Sequence, residues 1–208
     1  MKDKLEKIGI KKDLQYECIT TTMNKDGVKN AGAFTFVYLG GDMVHCHIFE
    51  GSKTLKNILD SNEYVVNVTQ NPLVFTYATL DCLGEEYYTN DKDIAIIKDT
   101  PAYMIVDVED VDIKTPENFT IKRDNKIYFI TGKIRKLVIN DENIQAFNRG
   151  MPALIEGLVN FSRYKIVGDA KRKEYMDWLI ENQRVINKVS DEKTKNAMSY
   201  LKEQYEKN

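Results

Sequence analysis

The sequence predicts a mainly β protein with added helices, in which a closed or split antiparallel β-barrel precedes a helical C-terminal subdomain. Before residue 141, six segments rich in β-branched and aromatic residues alternate with turn-forming residues. After residue 141, the apolar residues recur with the 3.6-residue period of a helix. We therefore predict a barrel domain over residues 1–140 and a helical subdomain over residues 141–208.

The strands are justified by residue type and by the turns between them. Asp26 and Gly27 form the tip of a predicted hairpin after the first strand. The fourth strand is nearly continuously apolar, as expected for a strand buried on both faces. Gly132 in the sixth strand indicates a bulge or a close approach of another chain segment. The six predicted strands are 16–23, 28–39, 43–49, 64–68, 103–114 and 126–140.

Two helices are predicted within the barrel domain. The first begins after Ser52 and has an apolar face formed by Leu55, Ile58 and Leu59. The segment 73–83 follows a strand-ending Asn-Pro pair and fits either a helix or irregular structure. We assign it to a helix.

The helical subdomain is predicted to begin at Asp141, a suitable N-cap for the apolar stripe that follows it. Pro152 lies inside this stripe and is expected to kink or split the helix. Two further helices are expected around 171–188 and 191–205. The stripe comprises Ile144, Phe147, Met151, Leu154, Ile155, Leu158 and Val159.

The composition excludes several classes of protein. Hydrophobic residues make up 42% of the 208 residues, which is enough for a substantial core. The formal net charge of -2 provides no broad basic surface, so we expect no nucleic-acid partner. The sequence has no apolar run of membrane-spanning length and no signal-peptide pattern, so we expect a cytoplasmic protein without a membrane partner.

The start of the first predicted helix is suited to binding an anion. Gly51 allows a sharp bend, and Ser52 is a good N-cap whose helix begins with unpaired amide groups. The helix dipole favours negative charge there, Lys53 adds a full positive charge, and the Thr54 hydroxyl can donate to a phosphate oxygen. An ordinary structural helix start remains the alternative, since many helices begin in this way. The glycine spacing is not that of a P-loop.

Other candidate sites have weaker support. His45 and His47 share one face of a predicted strand, but no third ligand is evident, so we predict no bound metal. Cys18, Cys46 and Cys82 are far apart and are interpreted as reduced, buried thiols, and Cys18 has no histidine nearby in sequence to activate it. The carboxylates at 107, 109, 110 and 112 are interpreted as surface charges rather than as a cation site. The pair Arg149 and Glu156 is likewise interpreted as surface charge rather than as part of a ligand cleft.

Several segments together resemble a known family. They are YECITTTMNKDGVKNAGAF at 16–34, FEGSKTLKNI at 49–58, VVNVT at 65–69 and NRGMPALIEGLVNFSR at 148–163. In combination they are similar to archaeal proteins of undetermined function that share the FMN-binding split-barrel fold of flavin reductases. The resemblance covers most of the chain. It implies FMN as cofactor and a homodimer with the flavin near the subunit interface.

The resemblance also implies a set of flavin contacts. The strand after the first hairpin presents its backbone to the isoalloxazine ring in this superfamily, which implies Asn30, Ala31, Gly32 and Ala33 beside the ring. The helix start holds the ribityl phosphate, which implies contacts from Ser52, Lys53, Thr54 and Asn57. Asn67 and Thr69, at the end of the next strand, are implied as second contacts.

The function implied is that of an FMN-dependent, flavin-reductase-like oxidoreductase that transfers a hydride or electrons at bound FMN. Its donor would be a nicotinamide or a deazaflavin, which the sequence does not distinguish. We find no obligatory acid or base residue. The main alternative is an FMN-binding carrier, store or sensor without turnover, and a third is an interaction module without a cofactor.

Overall fold

In the computed structural model, which describes residues 1–115 and 126–207, six antiparallel strands close into a barrel. Around the barrel the strands follow the order β1-β2-β3-β6-β5-β4, and β1 pairs with β4 to close it. This architecture confirms the predicted fold class and all six predicted strands. The strands are β1 (Gln15–Met23), β2 (Lys29–Gly40), β3 (Met43–Phe49), β4 (Glu63–Val68), β5 (Ala102–Lys114) and β6 (Ile127–Ile139).

The long strands β5 and β6 bend where their pairing is irregular. Their register shifts between Ile105 and Val106 and again between Val108 and Asp110. A Cβ atom at Gly132 would lie 2.5 Å from Val106 Cγ1 and 2.8 Å from the carbonyl oxygen of Asp107. Only glycine therefore fits at this position without displacing its neighbours, which confirms the predicted close approach.

The barrel interior contains large aromatic side chains and two thiols. Tyr38 and Tyr64 are almost completely buried there, together with Cys18 and Cys46. Burial raises the pKa of the Cys46 thiol to about 12 and raises that of Cys18 as well, so both thiols stay protonated at neutral pH. Cys82, in contrast, is exposed, so the prediction that all three thiols are buried is wrong at this residue.

Three α-helices lie in the described part of the barrel unit. They are α1 (Lys2–Lys7), which was not predicted, α2 (Lys53–Ser61) and α3 (Pro72–Thr79). Leu55 and Ile58 of α2 are buried as predicted, but Leu59 is exposed. Helix α3 ends at Thr79 rather than at residue 83, because Asp81 adopts a left-handed backbone conformation with φ of 56°.

Three further α-helices occur in the C-terminal unit as far as residue 207. They are α4 (Gly150–Arg163), α5 (Asp169–Val189) and α6 (Glu192–Glu206). Leu154, Leu179 and Leu201 contribute to their common core, and the Tyr205 hydroxyl donates a hydrogen bond to the Gly157 carbonyl oxygen at 2.9 Å. The chain divides into units at Met1–Phe147 and Asn148–Asn208, whereas the sequence predicts the boundary at residue 140.

The predicted helix start at Asp141 is wrong. The Asp141 carboxylate accepts a hydrogen bond from the Asn143 amide in a local turn, and Ile144 packs against the barrel core. The helix begins only at Gly150, so Pro152 lies in the first turn, where a missing amide hydrogen costs no helical hydrogen bond and causes no kink. No helix in the described part of the chain is long and apolar enough to cross a membrane.

Candidate functional site

The start of α2 provides free hydrogen-bond donors at a helix N-terminus. Ser52 is the N-cap, and its Oγ accepts a hydrogen bond from the Leu55 amide at 3.1 Å, as predicted. No acceptor among residues 1–115 and 126–207 faces the amides of Lys53 and Thr54. Gly51 has a left-handed φ of 93°, and a Cβ atom there would meet no atom within 4 Å. The helix start is therefore open and polarised for an anion.

Strand β2 lies directly against this helix start. A Cβ atom at Gly32 would lie 3.1 Å from Thr54 Oγ1 and 2.4 Å from Cε2 of the Phe34 ring. The absence of a side chain at Gly32 thus allows the strand backbone to approach Thr54 closely. A cavity of about 370 Å³ occupies this corner. It is lined by residues 30–34, residues 51–54, Ala78, Thr79 and Asp81.

A buried polar network fixes the side chains behind the cavity. Asn30 Nδ2 donates to Thr54 Oγ1 at 2.8 Å, and Asn57 Nδ2 donates to Thr22 Oγ1 at 3.0 Å. Thr54 is only 3% exposed and Asn57 only 7%. Because Thr54 Oγ1 acts as an acceptor in this network, its own hydroxyl hydrogen is still available to a ligand. The network joins the hairpin of β1 and β2 to α2.

Lys53 carries the positive charge at the cavity edge. Its ammonium group forms an ion pair with the carboxylate of Asp81, and both side chains are more than half exposed. Exposed ion pairs of this kind are worth at most about 1 kcal/mol, so a phosphate can readily replace Asp81 as the partner of Lys53.

Two predicted contacts, Asn67 and Thr69, do not line the cavity at the helix start. Asn67 is fully buried, and its Nδ2 donates to the Ile19 carbonyl oxygen at 3.0 Å and to Thr21 Oγ1 at 2.9 Å. Its Oδ1 accepts a hydrogen bond from the Ile97 amide at 3.0 Å. The structure therefore brings together the predicted residues of β2 and α2, and it gives Asn67 internal partners.

The histidines form an aromatic cluster on the outer face of β3. The ring centroids of His45 and His47 are 4.9 Å apart, and that of Phe129 lies 4.9 Å from His47. Burial, with a smaller effect of Lys114, lowers the pKa of His45, so its neutral form is favoured. No group of three or more potential metal ligands occurs among the residues that the structure describes.

The remaining candidate residues have surface positions. Asp107 and Asp112 form ion pairs with Arg135 and Lys114 at 3.6 Å and 3.2 Å. Glu109 and Asp110 are exposed, as are Arg149 and Glu156 in the other unit.

Two family models together match most of the chain. Residues 16–141 match the family model described as "Protein of unknown function (DUF447) N-terminal domain", and residues 148–203 match the model described as "Protein of unknown function (DUF447)". The chain belongs to the DUF447 family. The resemblance found in the sequence is thereby confirmed.

Several solved structures are similar to this chain. An FMN-bound DUF447 protein from Methanosarcina mazei is 21% identical, with a TM-score of 0.52, over 96% of this chain and 98% of that chain. A flavin reductase in complex with NADP+ is 20% identical, with a TM-score of 0.49, over 70% and 91% of the two chains. Component B of nitrilotriacetate monooxygenase from Bacillus cereus is 12% identical, with a TM-score of 0.49, over 72% and 83%.

Proposed function

We propose that this DUF447 protein binds FMN and acts as a flavin-reductase-like oxidoreductase. The observation that carries the proposal is the juxtaposition of the Gly32 backbone with a helix start whose Lys53 and Thr54 amides form no hydrogen bond within the described part of the chain. A flat ring fits against a strand without side-chain bulk, and a phosphate fits at a polarised helix start. The FMN-bound DUF447 protein from Methanosarcina mazei, which shares the fold, supports the same assignment.

The residues have separate roles in this proposal. Asn30, Ala31, Gly32 and Ala33 would lie beside the isoalloxazine ring. Residues at the start of α2, which are distant in sequence from this strand, would hold the ribityl phosphate through backbone amides, a hydroxyl and an ammonium group. That group comprises Gly51, Ser52, Lys53, Thr54 and Asn57. The contacts predicted for Asn67 and Thr69 remain predictions.

Bound FMN would supply the redox chemistry, by accepting or donating a hydride at N5. The protein would bind and orient the cofactor, and the Asn30–Thr54 hydrogen bond would hold strand and helix in the geometry that the ring and phosphate need. Hydride transfer needs no acid or base residue, and Lys53 and Asp81 are the charged side chains that the described residues contribute to the cavity wall.

The test is reduction of the FMN-loaded protein under anaerobic conditions. We expect purified protein to bind FMN, seen as a shifted visible absorbance spectrum. At least one of NADH, NADPH or a reduced deazaflavin should then bleach this spectrum faster than it bleaches free FMN. Binding without reduction by any donor would favour the carrier, store or sensor alternative. A protein that fails to bind FMN would refute the proposal and favour an interaction module.

We also propose a cytoplasmic homodimer. His45, His47 and Phe49 alternate along β3 with core residues and so form an outer face, and Phe49 is 41% exposed. Aromatic residues on an accessible sheet face are typical of subunit interfaces. Light scattering of the FMN-loaded protein should give about twice the chain mass of 24.1 kDa. A monomer at micromolar concentration would contradict this expectation.

A further inference from the structure

A larger cavity, of about 630 Å³, adjoins the proposed flavin site. The two cavities share Asn30, Ala31, Lys53 and Asp81 as lining residues. We call the larger one the lysine cleft, because Lys25, Lys29, Lys53 and Lys56 line it. None of the proposed flavin contacts accounts for Lys25, Lys29 or Lys56.

Local structure directs the lysines into one space. Lys53, Lys56, Asn57 and Asp60 of α2 recur at helical spacing and form one polar face that lines the cleft. Lys25 and Lys29 come from the turn and strand opposite. The carboxamide oxygen of Asn24 fixes that turn by accepting hydrogen bonds from the amides of Asp26 and Val28, at 3.0 Å and 2.8 Å.

The lysines of the cleft are weakly held by acidic partners. Three aspartates, Asp26, Asp60 and Asp81, also line the cleft, and they equal the lysines in number once Lys53 is assigned to the FMN phosphate. The Lys25–Asp60 pair is long, at 4.0 Å, and both it and the Lys53–Asp81 pair are exposed. Exposed ion pairs of this kind contribute little to stability, so a ligand can readily replace one partner. Lys56 has no ion-pair partner within the described ranges.

Two side chains on the cleft wall, Lys29 and Tyr88, have fixed positions and hydrogen-bond donors that remain available to a ligand. Lys29 Nζ donates to the Thr89 carbonyl oxygen at 2.7 Å and lies 5.6 Å from the ring centroid of Tyr88. Tyr88 is only 5% exposed, yet no described residue forms a hydrogen bond with its hydroxyl. Burial, with smaller effects of Glu85 and Asp81, raises its pKa, so the hydroxyl remains a donor. The hydroxyl oxygen itself still reaches solvent, so it can donate a hydrogen bond to a ligand that enters the cleft.

We propose that the lysine cleft is a second anion site, which holds the phosphate or carboxylate groups of the compound that exchanges a hydride with the flavin. This inference rests on the proposed function. Lysine ammonium groups act as point charges for such oxyanions, and Lys56, with no acidic partner in the described ranges, and Lys25, with only a long exposed one, are available to a ligand. The hydride that the donor loses is the one that the flavin gains, so the exchange needs no further reactant.

The experiment uses FMN-loaded protein and inorganic pyrophosphate as the probe. We expect the double variant Lys25→Gln/Lys56→Gln to weaken pyrophosphate binding about tenfold or more, since charge-assisted hydrogen bonds are lost. Lys136→Gln, at an exposed lysine of β6 outside the cleft, is the matched control and should leave it unchanged. Tyr88→Phe should weaken pyrophosphate binding by about three- to tenfold. FMN affinity should stay within about threefold in all three variants.

Donor kinetics then distinguish the two ligand sources. The KM of NADPH and the KM of a reduced deazaflavin are measured with the wild type and with the double variant. In the double variant, the KM of the true donor should rise about tenfold, because charge-assisted contacts are lost. Equal pyrophosphate binding by the wild type and the double variant would overturn the proposal. Displacement of FMN by pyrophosphate would also overturn it, because the cleft would then belong to the flavin site. Failure of wild-type protein to bind FMN at all would instead refute the proposed function.

Discussion

Lys53→Ala is expected to weaken FMN binding about ten- to a hundredfold, because a hydrogen bond to a charged group contributes about 1.5–3 kcal/mol. In the ligand-free protein Lys53 is paired with Asp81 in an exposed ion pair, so the variant should lose little thermal stability. Flavin fluorescence quenching measures the affinity. Riboflavin lacks the phosphate, so its affinity should change by less than about twofold.

Lys56 provides the matched variant, since it lies one turn further along the same face of α2. Lys56→Ala should reduce FMN affinity by less than about threefold, because its ammonium group lies beyond the proposed phosphate contacts. Unchanged FMN affinity in Lys53→Ala, or equal weakening of riboflavin and FMN, would show that the helix start at Ser52 is purely structural.

Asn67→Ala is expected to lower the free energy of unfolding of the barrel by about 2–4 kcal/mol. The change leaves the Ile97 amide and the Ile19 carbonyl oxygen without the Asn67 partner in a fully buried position. Urea unfolding followed by circular dichroism measures the loss. The single tryptophan, Trp178, lies in the helical unit, so its fluorescence reports on the other unit as an internal reference.

The control for this variant is Asn90→Ala, at an exposed asparagine, which should change stability by less than about 0.5 kcal/mol. Equal stability of the Asn67 and Asn90 variants would contradict the structural role of Asn67. The same protein tests the predicted flavin contact of Asn67. Because its amide already has internal partners, FMN affinity of the folded variant should fall less than in Lys53→Ala.

The sequence was sufficient for features that depend on neighbouring residues. The strands follow from β-branched and aromatic runs between turn residues, and the start of α2 follows from the Gly51-Ser52 pair, whose N-cap hydrogen bond the structure contains. The close approach at Gly132 is also predictable from the sequence, because a glycine inside a strand usually relieves crowding.

Features that depend on distant residues could not be predicted. The hydrogen bonds Asn30–Thr54 and Asn57–Thr22 join residues 24 and 35 positions apart, and no local pattern specifies them. The lysine cleft likewise forms only when the hairpin and α2 meet. Periodicity was misleading at Asp141, because apolar Ile144 packs on the barrel from irregular chain and only happens to continue the spacing of α4.

The distribution of thiols offers a direct spectroscopic route to both cavities. Cys18 and Cys46 are sealed in the barrel and stay protonated, whereas Cys82 is exposed. Thiol reagents attack thiolates that they can reach, so a maleimide dye should label the natural sequence at Cys82. This residue directly follows Asp81, which lines both cavities. A dye at this position would report flavin and anion binding as separate fluorescence changes in a protein that carries no substitution.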